Sequence, residues 1–180
     1  ISLAVEPCAD AYEALMLREA GRRTTMLDPN IRPGFIADEA AYRARLGRMI
    51  AAADILKLSD EDLAWLRGPG DTAAQAAALR AEGPEVVIIT RGAAGAVAYS
   101  GAEPVEVPAH AVQVVDTVGA GDTFNAGILA ALQAGGALER AALARSPGET
   151  LRGALDLGVR AAAMTVSRAG ANPPRRAELS

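Results

Sequence analysis

Asp116-Thr117-Val118-Gly119-Ala120-Gly121-Asp122-Thr123-Phe124 decides how this chain is read. It follows a short apolar run, Val112 to Val115, and leads into helical spacing at Phe124, Ile128 and Leu132. A small glycine-containing turn that opens onto a helix leaves the first backbone N–H groups without partners, so it can hold an anion. Gly119 and Gly121 let the backbone take unusual φ values and come close to a ligand. Asp122 puts an acid in the same place. Anion-holding amides beside a carboxylate suit phosphoryl transfer: the amides take the phosphoryl group, and the carboxylate takes the proton of the attacking hydroxyl. Two commoner phosphate loops are excluded. A dinucleotide fingerprint needs a third glycine where Phe124 stands, and the Gly-Lys-Ser/Thr end of a Walker loop is absent.

On either side of this turn, strand-like and helical stretches alternate. Ile1–Val5 reads as a strand, Ala9 to Ala20 as a helix stopped by Gly21, and Thr24–Asp28 as a strand. Tyr42, Leu46, Met49, Ile50 and Ala53 share one helical face, and Asp54–Leu58 is a further strand. Ser59 is suited to cap a short helix with acids in its first turn, and Asp71 to cap an Ala-rich helix running to Glu82. Val86–Thr90 has the unbroken apolar character of a central strand. Ala96–Tyr99 and Pro104–Val107, joined through Ser100-Gly101-Ala102-Glu103, form an antiparallel hairpin, the one break in the alternation. After a loop at Ser146-Pro147-Gly148, the positions Leu151, Leu155, Val159, Ala162 and Val166 mark a last long helix. The pattern predicts an α/β fold: a doubly wound, mostly parallel sheet with helices on both faces. Ligands of such sheets bind at the carboxyl ends of strands. Four polar clusters are expected there: Asp28–Arg32, Lys57–Asp62, Thr90–Gly95 and Asp116–Asp122.

Composition narrows the function. The 180 residues suit one domain, and the 51% of hydrophobic residues, with only six aromatics, indicate a closely packed, helix-rich globule. A net charge of −4 offers no general attraction to nucleic acid or anionic membrane. No apolar run approaches the roughly 18 residues of a bilayer span. Cys8 stands alone and cannot form an internal disulfide, which is compatible with a cytoplasmic setting. His110 and Trp65 read as a solvated side chain and a packing residue, and no Ser-His-Asp, Cys-His or zinc arrangement can be assembled. The chain opens at Ile1 on the apolar run. The expectation is therefore a piece of a longer protein, with an unpaired sheet edge prone to self-association.

The quoted stretch resembles DTxGAGDxF, the C-terminal signature of the ribokinase-like (PfkB-type) sugar kinases. The likeness runs over nearly all of the chain, with motifs in the family order, and is closest to the fructokinase branch. It implies a single nucleotide-binding and catalytic domain over residues 1–180, the C-terminal part of a kinase whose N-terminal sugar-binding and lid half is absent. The implied activity is ATP-dependent phosphorylation of a sugar hydroxyl. Asp122 is then the general base, the N–H groups of Ala120, Gly121 and Asp122 form the anion hole, and Gly119 gives the turn its backbone freedom. Thr90-Arg91-Gly92-Ala93-Ala94-Gly95 is similar to the TxGxxG nucleotide segment. Alone it would be an ordinary turn, but with the Asp122 motif downstream, Thr90, Gly92 and Gly95 are expected to contact ATP, with Lys57 beside them.

Asp28-Pro29-Asn30-Ile31-Arg32 resembles DxNxR, which gives Asn30 and Arg32 to the substrate along with Asp122. Where many relatives have Asn-x-x-Glu, this chain has Ser59 and Asp62. A capped helix start and a carboxylate ordering water around Mg²⁺ account for that pair equally well. The resemblance also implies a K⁺ site beside the anion turn, at Asp116, Val118, Thr165, Arg168 and Gly170. The expected partners are a sugar and ATP, with a homodimer of the full-length protein. The rival from another class is a non-catalytic nucleotide- or anion-binding fragment. Within the family, a 2-keto-3-deoxygluconate or nucleoside kinase is the alternative.

Overall fold

Five strands lie side by side in chain order, β1 (Met26–Leu27), β2 (Ile55–Ser59), β3 (Val86–Thr90), β4 (Ala96–Tyr99) and β5 (Val105–Val107). The computed structural model describes residues 1–101, 103–146 and 148–179. Ala102 of the expected hairpin turn and Pro147 of the expected loop lie outside these. β1, β2 and β3 pair in parallel, with Leu27 opposite Leu56 and Lys57 opposite Ile88. β4–β5 pair antiparallel, as the hairpin reading requires, and β3–β4 pair antiparallel as well.

Because strand side chains alternate faces, β1 to β4 contribute to two cores, while β5 gives Val105 and Val107 to one and exposes Glu106. Leu27, Leu56, Leu58, Val87, Ile89 and Val97 pack against the helices that connect the parallel strands: α2 (Glu39–Ala52), α3 (Asp60–Arg67) and α4 (Thr72–Ala81). The side chains between them, including Ile55, Val86 and Ile88, face α5 (Ala120–Ala134), α6 (Arg140–Leu143) and α7 (Gly148–Val166). Full burial of each such aliphatic chain contributes about 1.5–3 kcal/mol. α5 and α7 approach closely: a Cβ added to Gly127 would lie 2.8 Å from Gly158 Cα. The first helix, α1 (Cys8–Glu19), is tied to α2 by Arg45, which reaches Glu6 at 2.7 Å and Glu13 at 3.1 Å.

Two expectations are corrected. Ile1–Val5 is not a strand. Ala4 N–H donates to the Ile1 carbonyl at 2.8 Å in a turn, and Ile1 and Val5 are exposed. An apolar run becomes a strand only where a neighbouring strand accepts its hydrogen bonds, and none of the described residues does so here. Val112–Val115 is likewise unpaired and exposed, so the Asp116–Asp122 turn does not follow a sheet strand. It is anchored instead on α7, whose last residue, Val166, accepts the N–H groups of Val115 at 2.7 Å and Asp116 at 3.2 Å. The short α6 was not foreseen; four residues carry no readable period.

Candidate active site

Three strand ends and one helix start build the site. Gly119 takes φ +79 and serves as N-cap of α5, a left-handed conformation that only glycine adopts freely. Its side-chain-free position also faces Ala171, whose Cβ would lie 3.2 Å from an added Cβ. The Ala120 N–H closes the turn on the Thr117 carbonyl at 3.3 Å, and Thr123 N–H returns to the Gly119 carbonyl at 2.9 Å. Among the described residues, the N–H groups of Gly121 and Asp122 have no backbone partner. They are the orphan donors of a 15-residue helix, at its positive dipole end. Asp122 is exposed and lines a cleft of about 550 Å³ with Gly127, Leu157, Pro174 and Arg176.

The side of the turn that faces the sheet meets a buried polar cluster. Strand alternation aims Lys57 at the α5 face, one residue beyond the Leu27–Leu56 pair, where Asp28 leaves β1. Lys57 Nζ donates to Asp28 Oδ2 at 3.0 Å, and Asn125 Nδ2 donates to the same oxygen at 2.8 Å. A Cβ on Gly121 would lie 3.5 Å from Lys57 Nζ and 4.0 Å from Asp28 Oδ2, so the ammonium lies directly against the first helical turn. Asp28 Oδ1 and Asn125 Oδ1 are buried with no hydrogen-bond partner among the described residues. Sequence reading put Asp28 in a strand-end cluster without giving it a role of its own, and it missed Asn125. The available signal was spacing: Asn125 stands four residues after Gly121, on the same helical face.

The other expected residues are distributed around this centre. Thr90 Oγ1 reaches the Leu58 carbonyl at 3.4 Å, joining the ends of β2 and β3. Gly92 has φ +52 and open space around it; Gly95 has φ +88, and a Cβ there would lie 2.1 Å from the Val107 carbonyl oxygen. Gly95 is thus required by the hairpin backbone itself. Asp62 is buried and forms a capping box with Ser59. Its Oδ1 accepts from Ile31 N–H at 2.8 Å and its Oδ2 from Ser59 N–H at 3.2 Å. The helix-start reading is therefore what the geometry shows, and Asp62 also fixes the loop in which Asn30 takes φ +45. Arg32 is exposed and donates to the Ile31 carbonyl at 2.8 Å.

Behind the turn, the segments carrying Asp116, Val118, Thr165, Arg168 and Gly170 come together. Asp116 accepts from Val118 N–H at 3.0 Å and Gly170 N–H at 2.9 Å, and those bonds, Val118 first, hold its carboxyl below the ordinary aspartate range. The Thr165 carbonyl accepts from Arg168 N–H at 3.1 Å. Among the described residues, no three carboxylate, histidine or cysteine side chains converge as a metal cage. No described helix is long and apolar enough to cross a membrane.

A mostly parallel α/β sheet with a glycine turn at a helix start, an exposed carboxylate on that turn and a buried lysine against it places the chain among the α/β proteins whose strand ends are suited to an anionic ligand. The chain belongs to the pfkB family carbohydrate kinases, whose pattern matches residues 2–178. It is 50% identical to a fructokinase of Rhizobium leguminosarum bv. trifolii over 156 residues, 87% of this chain and 48% of that protein. A fructokinase from Vibrio cholerae O395, solved with fructose, ADP and potassium ion bound, superposes with a TM-score of 0.83 at 26% identity, covering 99% of this chain and 56% of that one. The aminoimidazole riboside kinase of Salmonella enterica, complexed with aminoimidazole riboside and an ATP analog, gives 0.77 at 30% identity, covering 95% and 55%. The chain thus spans about half the length of the curated relative and of these solved structures.

Proposed function

We propose that this chain is the nucleotide-binding, base-bearing part of an ATP-dependent sugar kinase, acting as in the fructokinases it is similar to. One observation carries the reading. Asp122 presents an exposed carboxylate on the turn whose free amides lie against the Lys57 ammonium. The γ-phosphoryl group would rest on the N–H groups of Gly121 and Asp122, with the longer-bonded Ala120 N–H beside them and Gly119 shaping the turn. Asp122 would take the proton of the acceptor hydroxyl as its oxygen bonds to phosphorus and the bond to the ADP oxygen breaks. Mg²⁺, brought in on the nucleotide, would neutralise the phosphate charge, and Asp62 would reach it only through water, with the lone pairs its two backbone bonds leave. Thr90, Gly92 and Gly95 would border the nucleotide, and Asn30 and Arg32 the acceptor. K⁺ beside the turn, through backbone oxygens near Asp116, Val118, Thr165, Arg168 and Gly170, belongs to the same reading. The union of those two segments through Asp116 supports it. A nucleoside acceptor is the second reading, favoured by the similarity to the riboside kinase.

The test is coupled ADP release by the full product of the reading frame, against a panel of hexoses, keto-acids and nucleosides. Asp122→Asn is expected to lower kcat by roughly 10²–10⁴-fold, the usual share of a general base, with ATP affinity little changed. Near-normal turnover in that variant removes Asp122 from the chemistry.

A further inference from the structure

Lys57 is a buried cation whose setting is built from three separate parts of the chain. Its side chain is 7% exposed, and among the described residues Asp28 is the one side-chain partner of its ammonium. An ammonium has three N–H donors, so two remain for another acceptor. Both carboxylate oxygens of Asp28 are fixed in place, yet only Oδ2 is used, by Lys57 and Asn125 together. The cluster abuts Gly121, where the absence of a side chain leaves nothing between the ammonium and the helix amides. A lysine stem has four rotatable carbons and would otherwise sample many positions. The bond to Asp28 restricts it, and Asn125, on the helix that carries the amides, ties that carboxylate to the same turn.

We propose that Asp28 and Asn125 are positioning residues that aim the Lys57 ammonium across the first turn of α5. A phosphoryl oxygen held by the Gly121 and Asp122 amides then meets a cation already set at the right height. The inference rests on reading the turn as a phosphoryl site, and it deepens that reading in a specific way. The arrangement locks the distance between two elements, β2 and α5, that the backbone alone does not connect. It also explains why a polar Asn stands in the second turn of a helix whose neighbouring positions, Phe124 and Ile128, are core. Asp28 and Asn125 act through Lys57 and touch no reacting atom.

The experiment compares the binding of ATP with that of adenosine, by calorimetry, on the full product of the reading frame. Melting temperature is recorded for every variant. Lys57→Met is expected to weaken ATP binding by roughly 10- to 100-fold, the range of a lost charge-assisted contact, while adenosine binding holds. Asp28→Asn and Asn125→Ala are each expected to weaken ATP by roughly 3- to 10-fold, and the double variant by less than the product of the two, because one cluster is lost only once. A merely structural role would lower the melting temperature and weaken adenosine and ATP alike. That outcome, or parent-like ATP affinity in both Asp28→Asn and Asn125→Ala, overturns the assignment. If the parent protein binds no ATP, the proposed function falls with it. If ATP binds but Asp122→Asn turns over normally, only the base assignment falls.

Discussion

The two ends of the parallel strands carry clusters of the same ingredients, an aspartate with a basic partner, but with opposite degrees of completion. Below β2, Asp54 is 3% exposed and both its oxygens are engaged: Oδ2 by the Thr25 N–H at 2.8 Å and hydroxyl at 3.1 Å, Oδ1 by Arg140 at 2.6 Å. Arg140 is itself completed by the Gly83 carbonyl at 3.0 Å and Glu85 at 2.8 Å. Above the strands, Asp28 and Asn125 each keep a buried oxygen without a partner, and Lys57 keeps donors in reserve. A buried polar group left unpaired costs free energy. A cluster closed on all sides is satisfied by the scaffold itself, and one left open keeps donors and acceptors for a further partner, as the proposal requires. The lower cluster pins α6 to the sheet; the upper one faces the glycine turn at the start of α5.

The comparison can be broken from either side. Asp54→Ala should give the largest stability effect, a loss of about 2–4 kcal/mol, because it strands the buried Thr25 N–H and removes the carboxylate that Arg140 holds. Denaturant titration measures it, and ATP affinity should not move. Gly121→Ala inverts that pattern. The added methyl has room at 3.5 Å from Lys57 Nζ and a helix favours Ala over Gly, so stability should rise by about 0.5–1 kcal/mol. The same methyl stands between the amides and the ammonium, and ATP affinity should fall roughly tenfold. A parent-like affinity would show that the phosphate does not lie there. Asn125→Ala should change stability by less than about 1 kcal/mol, since it removes one hydrogen bond and one unpaired oxygen together. A loss as large as that of Asp54→Ala would place the upper cluster in the scaffold.

The smallest effect concerns pH. Asp116 has its folded-state acidity strengthened by the Val118 and Gly170 N–H groups. Its contribution is therefore complete above the ordinary aspartate pKa of about 4 and is lost as pH falls through the lower folded value. The melting-temperature gap between the parent and Asp116→Asn should be present near neutrality and close on acidification. A gap that persists in acid would exclude the carboxylate as its source.

Much of the fold could be read locally. The apolar run Val86–Thr90, the caps Ser59 and Asp71, and the glycine turn ahead of Phe124 each carry their own signal within a few residues, through alternation, capping chemistry or backbone freedom. Ile1–Val5 and Val112–Val115 misled for the opposite reason. Whether an apolar run becomes a strand depends on a partner elsewhere in the chain, and no local pattern reports one. The base candidate Asp122 and the amides beside it were legible because a helix start and its acid lie on consecutive residues.

Sequence by itself determined the alternating α/β architecture, the glycine turn at a helix start and the carboxylate placed on it, all consequences of short-range geometry. Only the tertiary structure decided that Asp28, Lys57 and Asn125 meet under that turn, that Asp62 also holds the Ile31 N–H, and that Gly95 answers to the Val107 carbonyl. Those outcomes depend on strand register and on how α5 lies across the sheet, and contacts 29 to 97 residues apart in the chain leave no mark on the local pattern.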